Sequence, residues 1–193
     1  RFLDIAKADV DKALDLEDDS LHEPLIEHVG HLPIVASYFH QFLEHTEQVD
    51  LGRVLVMLSV HDIGETVHGD VFAYTKTTED EQQEAQTALT LLPEYLQSFF
   101  LEFEARETMD AKFANSVDAL AGFFPALDMP RITIKRFNQR GANVDVIVRK
   151  NRSLMEWDAT MLAVFDLSMK QAYQAERDES LILGSVDYDI QID

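Results

Sequence analysis

The stretch VLVMLSV, from Val54 to Val60, is apolar on most sides of a helix and runs straight into the ionisable pair His61-Asp62. A helix of that kind has no face to give to water, so it belongs in the middle of a packed set of other elements. The pair at its end must then find partners inside the protein, because a buried imidazole or carboxylate left alone is strongly unfavourable. The rest of the chain has to supply both the cover and the partners.

The cover is readable from apolar spacing, which is mostly helical. Phe2, Ile5, Ala6, Val10, Ala13 and Leu14 predict a first helix to about Leu16, followed by the acidic turn EDDS. Val35, Phe39, Phe42 and Leu43 mark a second, and LGRVLVMLSVHDIGE reads as one continuous third helix. TEDEQQEAQTALTLL is a fourth, stopped by Pro93, which can itself open the next helix at PEYLQSFFLEFEA. AKFANSVDALAGFF carries Phe113, Val117, Leu120 and Phe124 on one stripe, and ANVDVIVRKN and SLMEWDATMLAVFDLSMKQAYQ complete the helical set, with Trp157 read as core. The tail SVDYDIQID alternates Val186, Tyr188, Ile190 and Ile192, a strand period that reads either as an arm on a partner subunit or as disorder. The expectation is a single all-α domain over residues 1–193, with a core of about 27–175 and a tail from 178.

Composition narrows the partners. A chain of 193 residues that is 46% hydrophobic is long and apolar enough for one sizeable core. No run approaches the roughly 20 apolar residues of a membrane span. There is no cysteine, which removes thiolate ligands and disulfides and suits a reducing cytoplasm. A net charge of −20 argues against nucleic acid or an anionic membrane as partner. A small anionic substrate is still admitted if a cation stands between it and the protein. Seven of the 16 basic residues fall between Arg131 and Arg152, and this run reads as a solvated surface loop ahead of a phosphate contact. The sequence starts at Arg1 rather than Met, so some native N-terminus is expected to be missing.

A coordination site can be assembled around HDIGETVHGD, residues 61–70. Imidazole and carboxylate without thiolate suit Mn, Fe, Co, Zn or Mg. Glu65, four residues past His61, could hold a water or orient a ligand, and Asp70 follows in the turn. With 36 acidic residues, most carboxylates here simply face water. Upstream, EHVGHLPIVASYFH offers His28 and His31. Downstream, Asp118 sits between Ala114 and Ala121 and beside Val117, where a merely solvating aspartate is out of place.

The order His…His-Asp…Asp resembles the HD-domain metal-dependent phosphohydrolases, and within them the 5′-deoxynucleotidases. The resembling segments are HLPIVA, HDIGETVHGD, Lys76 in the following loop, the helix start EQQEA, and VDAL. The similarity runs from about residue 27 to 175 and is specific at the second of these. The resemblance implies that His31, His61, Asp62 and Asp118 bind one divalent cation (Mn, Co, Mg, Fe or Zn). It also implies that Glu65 positions or activates the attacking water and that Asp70 acts near the scissile ester or the sugar. His31 is preferred to His28 because Val35 and Ala36 then fall at the family's offsets, although the family's Glu-His order is met at Glu27-His28. The implied activity is hydrolysis of (deoxy)nucleoside 5′-monophosphates, by a homodimer. The family's upstream Arg-Gly-Trp element has no counterpart here, which leaves a hydrolase of another phosphorylated nucleotide, or a silent regulatory protein, as alternatives. An HD oxygenase needs further histidines before the final aspartate, and only His68 lies between Asp62 and Asp118.

Overall fold

The structure, a computed structural model, describes residues 25–69, 71–123 and 130–182. The expected helix over residues 2–16, Asp70, Phe124 and the tail strand from residue 186 lie outside them. Among the described residues the chain is all helix and connection, without a strand. In order these are α1 (Leu25–His40), a 3-10 turn (Thr46–Gln48), α2 (Leu51–Val60), α3 (Glu65–His68), α4 (Thr78–Leu91) and α5 (Glu94–Ala105). They continue with α6 (Met109–Ala121), α7 (Pro130–Gln139), α8 (Val144–Asn151), a second 3-10 turn (Arg152–Leu154) and α9 (Ala159–Ile182). α9 runs past residue 178, so the start of the expected tail is helical.

The apolar helix α2 does sit at the centre. It packs against α1, α5 and α6, and α1 also meets α6. Val54, Met57 and Leu58 of α2 are fully buried with Leu32 and Ala36 of α1 and Phe113, Val117 and Leu120 of α6. Burying each large side chain of this set stabilises the fold by about 1.5–3 kcal/mol. The same core continues through Met155 and α9 by way of Met161 and Phe165. A smaller cluster of Val60, Ala88, Leu92 and Phe100 joins α4 and α5 to the end of α2.

Polar ties fix how α2 enters this core. Asp50 caps it by accepting from Arg53 N, while the backbone N–H of Asp50 donates to Asp110 Oδ1 at 2.8 Å. The Arg53 guanidinium then bridges outward, with Nε 3.0 Å from Asp110 Oδ2 and its other arm on Glu102. One arginine thereby binds the start of α2 to both α5 and α6.

Two helices are shorter than apolar periodicity implied, one at its end and one at its start. The expected single helix over LGRVLVMLSVHDIGE stops at Val60, and residues 61–64 form a turn before α3. Its bonds tighten to the three-residue spacing, with Ile63 N to Val60 O at 3.2 Å and Glu65 N to Asp62 O at 3.0 Å. Likewise SLMEWDAT does not begin the last helix, because Asp158 caps it instead. Asp158, 2% exposed, accepts from Thr160 N and Met161 N through Oδ1 and from Glu44 N through Oδ2. Trp157 is half-buried rather than central and donates from Nε1 to Ser116 Oγ at 2.8 Å. The basic run of residues 131–152 is corrected from loop to helix, since it forms most of α7 and α8; Lys135, Arg140, Arg149 and Lys150 are exposed.

Asp158 makes a specific test of this frame. Replacing it by alanine strands three N–H donors, that of Met161 buried, and D158A is expected to lower the unfolding free energy by about 2 kcal/mol. Urea denaturation of D158A beside D158N checks it, the asparagine retaining part of the loss because it keeps an acceptor oxygen.

Candidate metal centre

Four side chains from two helices and one turn converge where α2 ends. His28 comes from α1, His61 and Asp62 from the turn after α2, and Asp118 from α6. One ligand atom of each lies within 4.8 Å of all the others. His28 Nε2 is 3.0 Å from Asp118 Oδ1 and 3.6 Å from Asp62 Oδ2. His61 Nε2 is 3.0 Å from Asp62 Oδ2 and 3.4 Å from Asp118 Oδ1.

The backbone decides what His61 offers. Its ring is 6% exposed, lies against Phe103 with centroids 4.8 Å apart, and has Nδ1 3.1 Å from the carbonyl of Leu58. A carbonyl can only accept, so Nδ1 carries the hydrogen and neutral His61 presents a bare lone pair at Nε2. That buried nitrogen makes no hydrogen bond and faces two carboxylates. A lone pair among anions is repulsive unless a proton or a cation sits between them. Two imidazoles and two carboxylates match the donor preference of a divalent first-row ion or magnesium. Twice a metal–ligand distance of roughly 2.1 Å is about 4.2 Å, so the observed spread requires only small side-chain rotations. The residues fit the ion that the sequence pattern implied.

Without an ion, a proton plays this part. Burial alone would push the His61 imidazole below its ordinary value, but Asp62 and Asp118 outweigh it and hold it well above. Burial alone would raise the Asp118 carboxyl, and the charge of His61 with a hydrogen bond from His28 keeps it well below the ordinary carboxylate range.

The structure brings His28 into this group, and the expected His31 is not among the four. On α1 the inward stripe is His28, Leu32 and Ala36, with Leu32 and Ala36 fully buried. His31 belongs to the neighbouring stripe, with its ring edge-on to His28 at 5.6 Å and Nδ1 3.0 Å from the carbonyl of Glu27. The Glu27-His28 order was the sequence signal for this histidine.

Glu65 opens α3, with Oε1 3.7 Å from Lys76 Nζ. Gly64 before it is there for space, since a Cβ at that position would lie 2.4 Å from the carbonyl oxygen of Glu84 on α4. Lys76 also pairs with Glu84, a residue that sequence reasoning had passed over among the acidic surface of EQQEA. Burial would lower the Lys76 ammonium, but Glu84, Glu65 and Asp62 outweigh it and hold it above its ordinary value. The loop carrying Lys76 is tied down by α8, where Asn151 donates to the Tyr74 hydroxyl at 2.9 Å and Lys150 donates to the Ala73 carbonyl. Burial raises the Tyr74 hydroxyl to about 12, so it remains a neutral hydrogen-bonding group.

A search of the curated proteins finds no match. A crystal structure described as a predicted metal-dependent phosphohydrolase from Magnetospirillum magnetotacticum MS-1 superposes with a TM-score of 0.63 at 29% identity, covering 84% of each chain. The family model for the HD domain matches residues 16–153, most of the chain. The matched range includes His28, His61, Asp62 and Asp118, and the chain belongs to the HD-domain family.

Proposed function

We propose that this chain is a metal-dependent phosphohydrolase that cleaves (deoxy)nucleoside 5′-monophosphates to nucleoside and phosphate. The observation that carries the reading is the convergence of His28, His61, Asp62 and Asp118 around an unpartnered His61 Nε2. The HD-domain family and the likeness to the Magnetospirillum phosphohydrolase support phosphate-ester hydrolysis. The monophosphate substrate rests on HDIGETVHGD, the segment most like that of the 5′-deoxynucleotidases.

His28, His61, Asp62 and Asp118 would hold the ion. When bound, a divalent ion supplies Lewis acidity, which acidifies water and offsets phosphate charge. The chain's part is to hold that charge in place and to move one proton. Glu65, on the helix that begins one residue after Gly64, takes the proton of the attacking water as a general base. Asp62 and Asp118 are balanced by the ion, which lets a protein of net charge −20 receive an anion. The water oxygen forms the new bond to phosphorus as the ester oxygen leaves, taking up a proton to become the nucleoside hydroxyl. Asp70, outside the described residues, is assigned to the leaving oxygen or the sugar.

Phosphate release from a panel of deoxynucleoside monophosphates with Mn²⁺, Co²⁺ or Mg²⁺ tests the activity, and silence across the panel would remove the nucleotidase reading. E65Q is expected to keep its metal and lose about 10²–10⁴ in rate, the usual worth of a general base. Metal analysis also decides the ligand set, with H28A losing the ion and H31A retaining it.

The metal-free protein should show a matching pH dependence. The folded His61 value lies above the ordinary 6.5, so its contribution is complete below 6.5 and is lost as pH rises through the raised value. The folded Asp118 value lies below the ordinary 3.8, so its contribution is complete above 3.8 and is lost as pH falls through the depressed value. After chelation, Tm is expected to be highest between about 4 and 6.5 and to decline on the alkaline side. Mn²⁺ should then raise Tm most at alkaline pH, where it replaces the lost proton.

A further inference from the structure

We propose that Lys76 is the positioning residue for Glu65, holding its carboxylate aside from the ion so that it acts on water and does not become a fifth ligand. This rests on the reading of Glu65 as the general base.

The case is geometric. A carboxylate beside a divalent ion has an easy alternative to general-base work, which is to coordinate the ion directly. Something has to hold it off. Lys76 Nζ is 3.7 Å from Glu65 Oε1 and is paired on its other side with Glu84, and the Lys76, Glu65 and Glu84 side chains are only 17%, 12% and 15% exposed. Charges so shielded from water interact more strongly than exposed pairs do.

The ammonium is also held from fixed points. Tyr74, two residues before it, is gripped by Asn151 of α8. Thr77, one residue after it, closes a reciprocal cap with Asp80, with Thr77 N to Asp80 Oδ2 at 2.9 Å and Asp80 N to Thr77 Oγ1 at 3.2 Å. Glu84 itself stands on the α4 backbone that abuts Gly64, the residue next to Glu65. The distance between the two carboxylates that Lys76 bridges is therefore set by contact between backbones. Glu84 takes the nearer contact through Oε2 and leaves its Oε1 buried with no hydrogen bond, while the same ammonium stays 3.7 Å from Glu65 Oε1, so it serves both carboxylates.

The test compares K76M, K76R and K76M/E84Q with the wild type, reading kcat, KM and Mn²⁺ affinity. K76M is expected to lose about 10–100-fold in kcat, the cost of a misplaced group, with KM little changed. K76R should recover most of that loss. Mn²⁺ should bind K76M at least as tightly as the wild type, and any gain should vanish in K76M/E65Q. The decisive variant is K76M/E84Q, which removes the Lys76–Glu84 pair without leaving the charge of Glu84 unpaired; it should fold stably and stay slow. Recovery of wild-type rate in K76M/E84Q would overturn the proposal, since Lys76 would then serve only Glu84. Wild-type kcat in K76M, or loss of its Mn²⁺ binding, would overturn it too. A wild type that binds Mn²⁺ but hydrolyses nothing on the panel would instead remove the phosphohydrolase reading, and the role of Lys76 with it.

Discussion

The structure depends on burying α2 from several sides. An apolar helix wrapped by α1, α5 and α6 must end somewhere, and here it ends inside the protein, with His61 as its first residue past the last full turn. Because Val54, Met57 and Leu58 admit no slippage in a close-packed core, the turn that follows is delivered to one place. His28 and Asp118 reach that place because α1 and α6 are the two helices that cover α2 there. The cluster is a consequence of how the core packs, and the Arg53 bridge to Glu102 and Asp110 keeps the other end of α2 from shifting.

Electrostatics then decides what the cluster is for. Two carboxylates and an imidazole nitrogen, fixed by the carbonyl of Leu58 as a lone-pair donor, cannot remain together without positive charge. In the bare protein a proton serves, which is why His61 is raised and Asp118 depressed. A divalent ion held by these residues would replace that proton with a larger charge. The acidic surface, which would otherwise repel a phosphate, would be less of an obstacle once an ion balanced the charge of Asp62 and Asp118.

Much of this was legible in the residues. Helical spacing revealed the all-α architecture, and the abrupt change from VLVMLSV to His-Asp located the site. Asp118 was visible as an aspartate among alanines on an inward stripe. Three features were not legible, for physical reasons. The choice between His28 and His31 turns on a rotation along one helix, which family offsets do not fix as sharply as the buried stripe through Leu32 and Ala36. The end of α2 at Val60 was invisible because apolar spacing continues through Ile63, whereas the turn is set by Gly64 meeting the backbone of α4. Glu84 was lost among carboxylates because its partner, Lys76, comes from a loop whose path is fixed by Asn151, a residue 75 positions further on by the numbering.

The Asp158 carboxylate joins two places that are far apart along the chain, the segment after α1 and the first turn of α9. Thr160 reinforces it by donating to the carbonyl of Phe42 at 2.6 Å, and Glu44 returns the favour by accepting from Ala159 N. Neither strand of this clasp can fray by itself, so the last long helix and the connection between α1 and α2 share a single opening event. In solvent-exchange terms the amides of Glu44, Thr160 and Met161 are expected to open together, which couples α9 to the segment that follows the helix carrying His28.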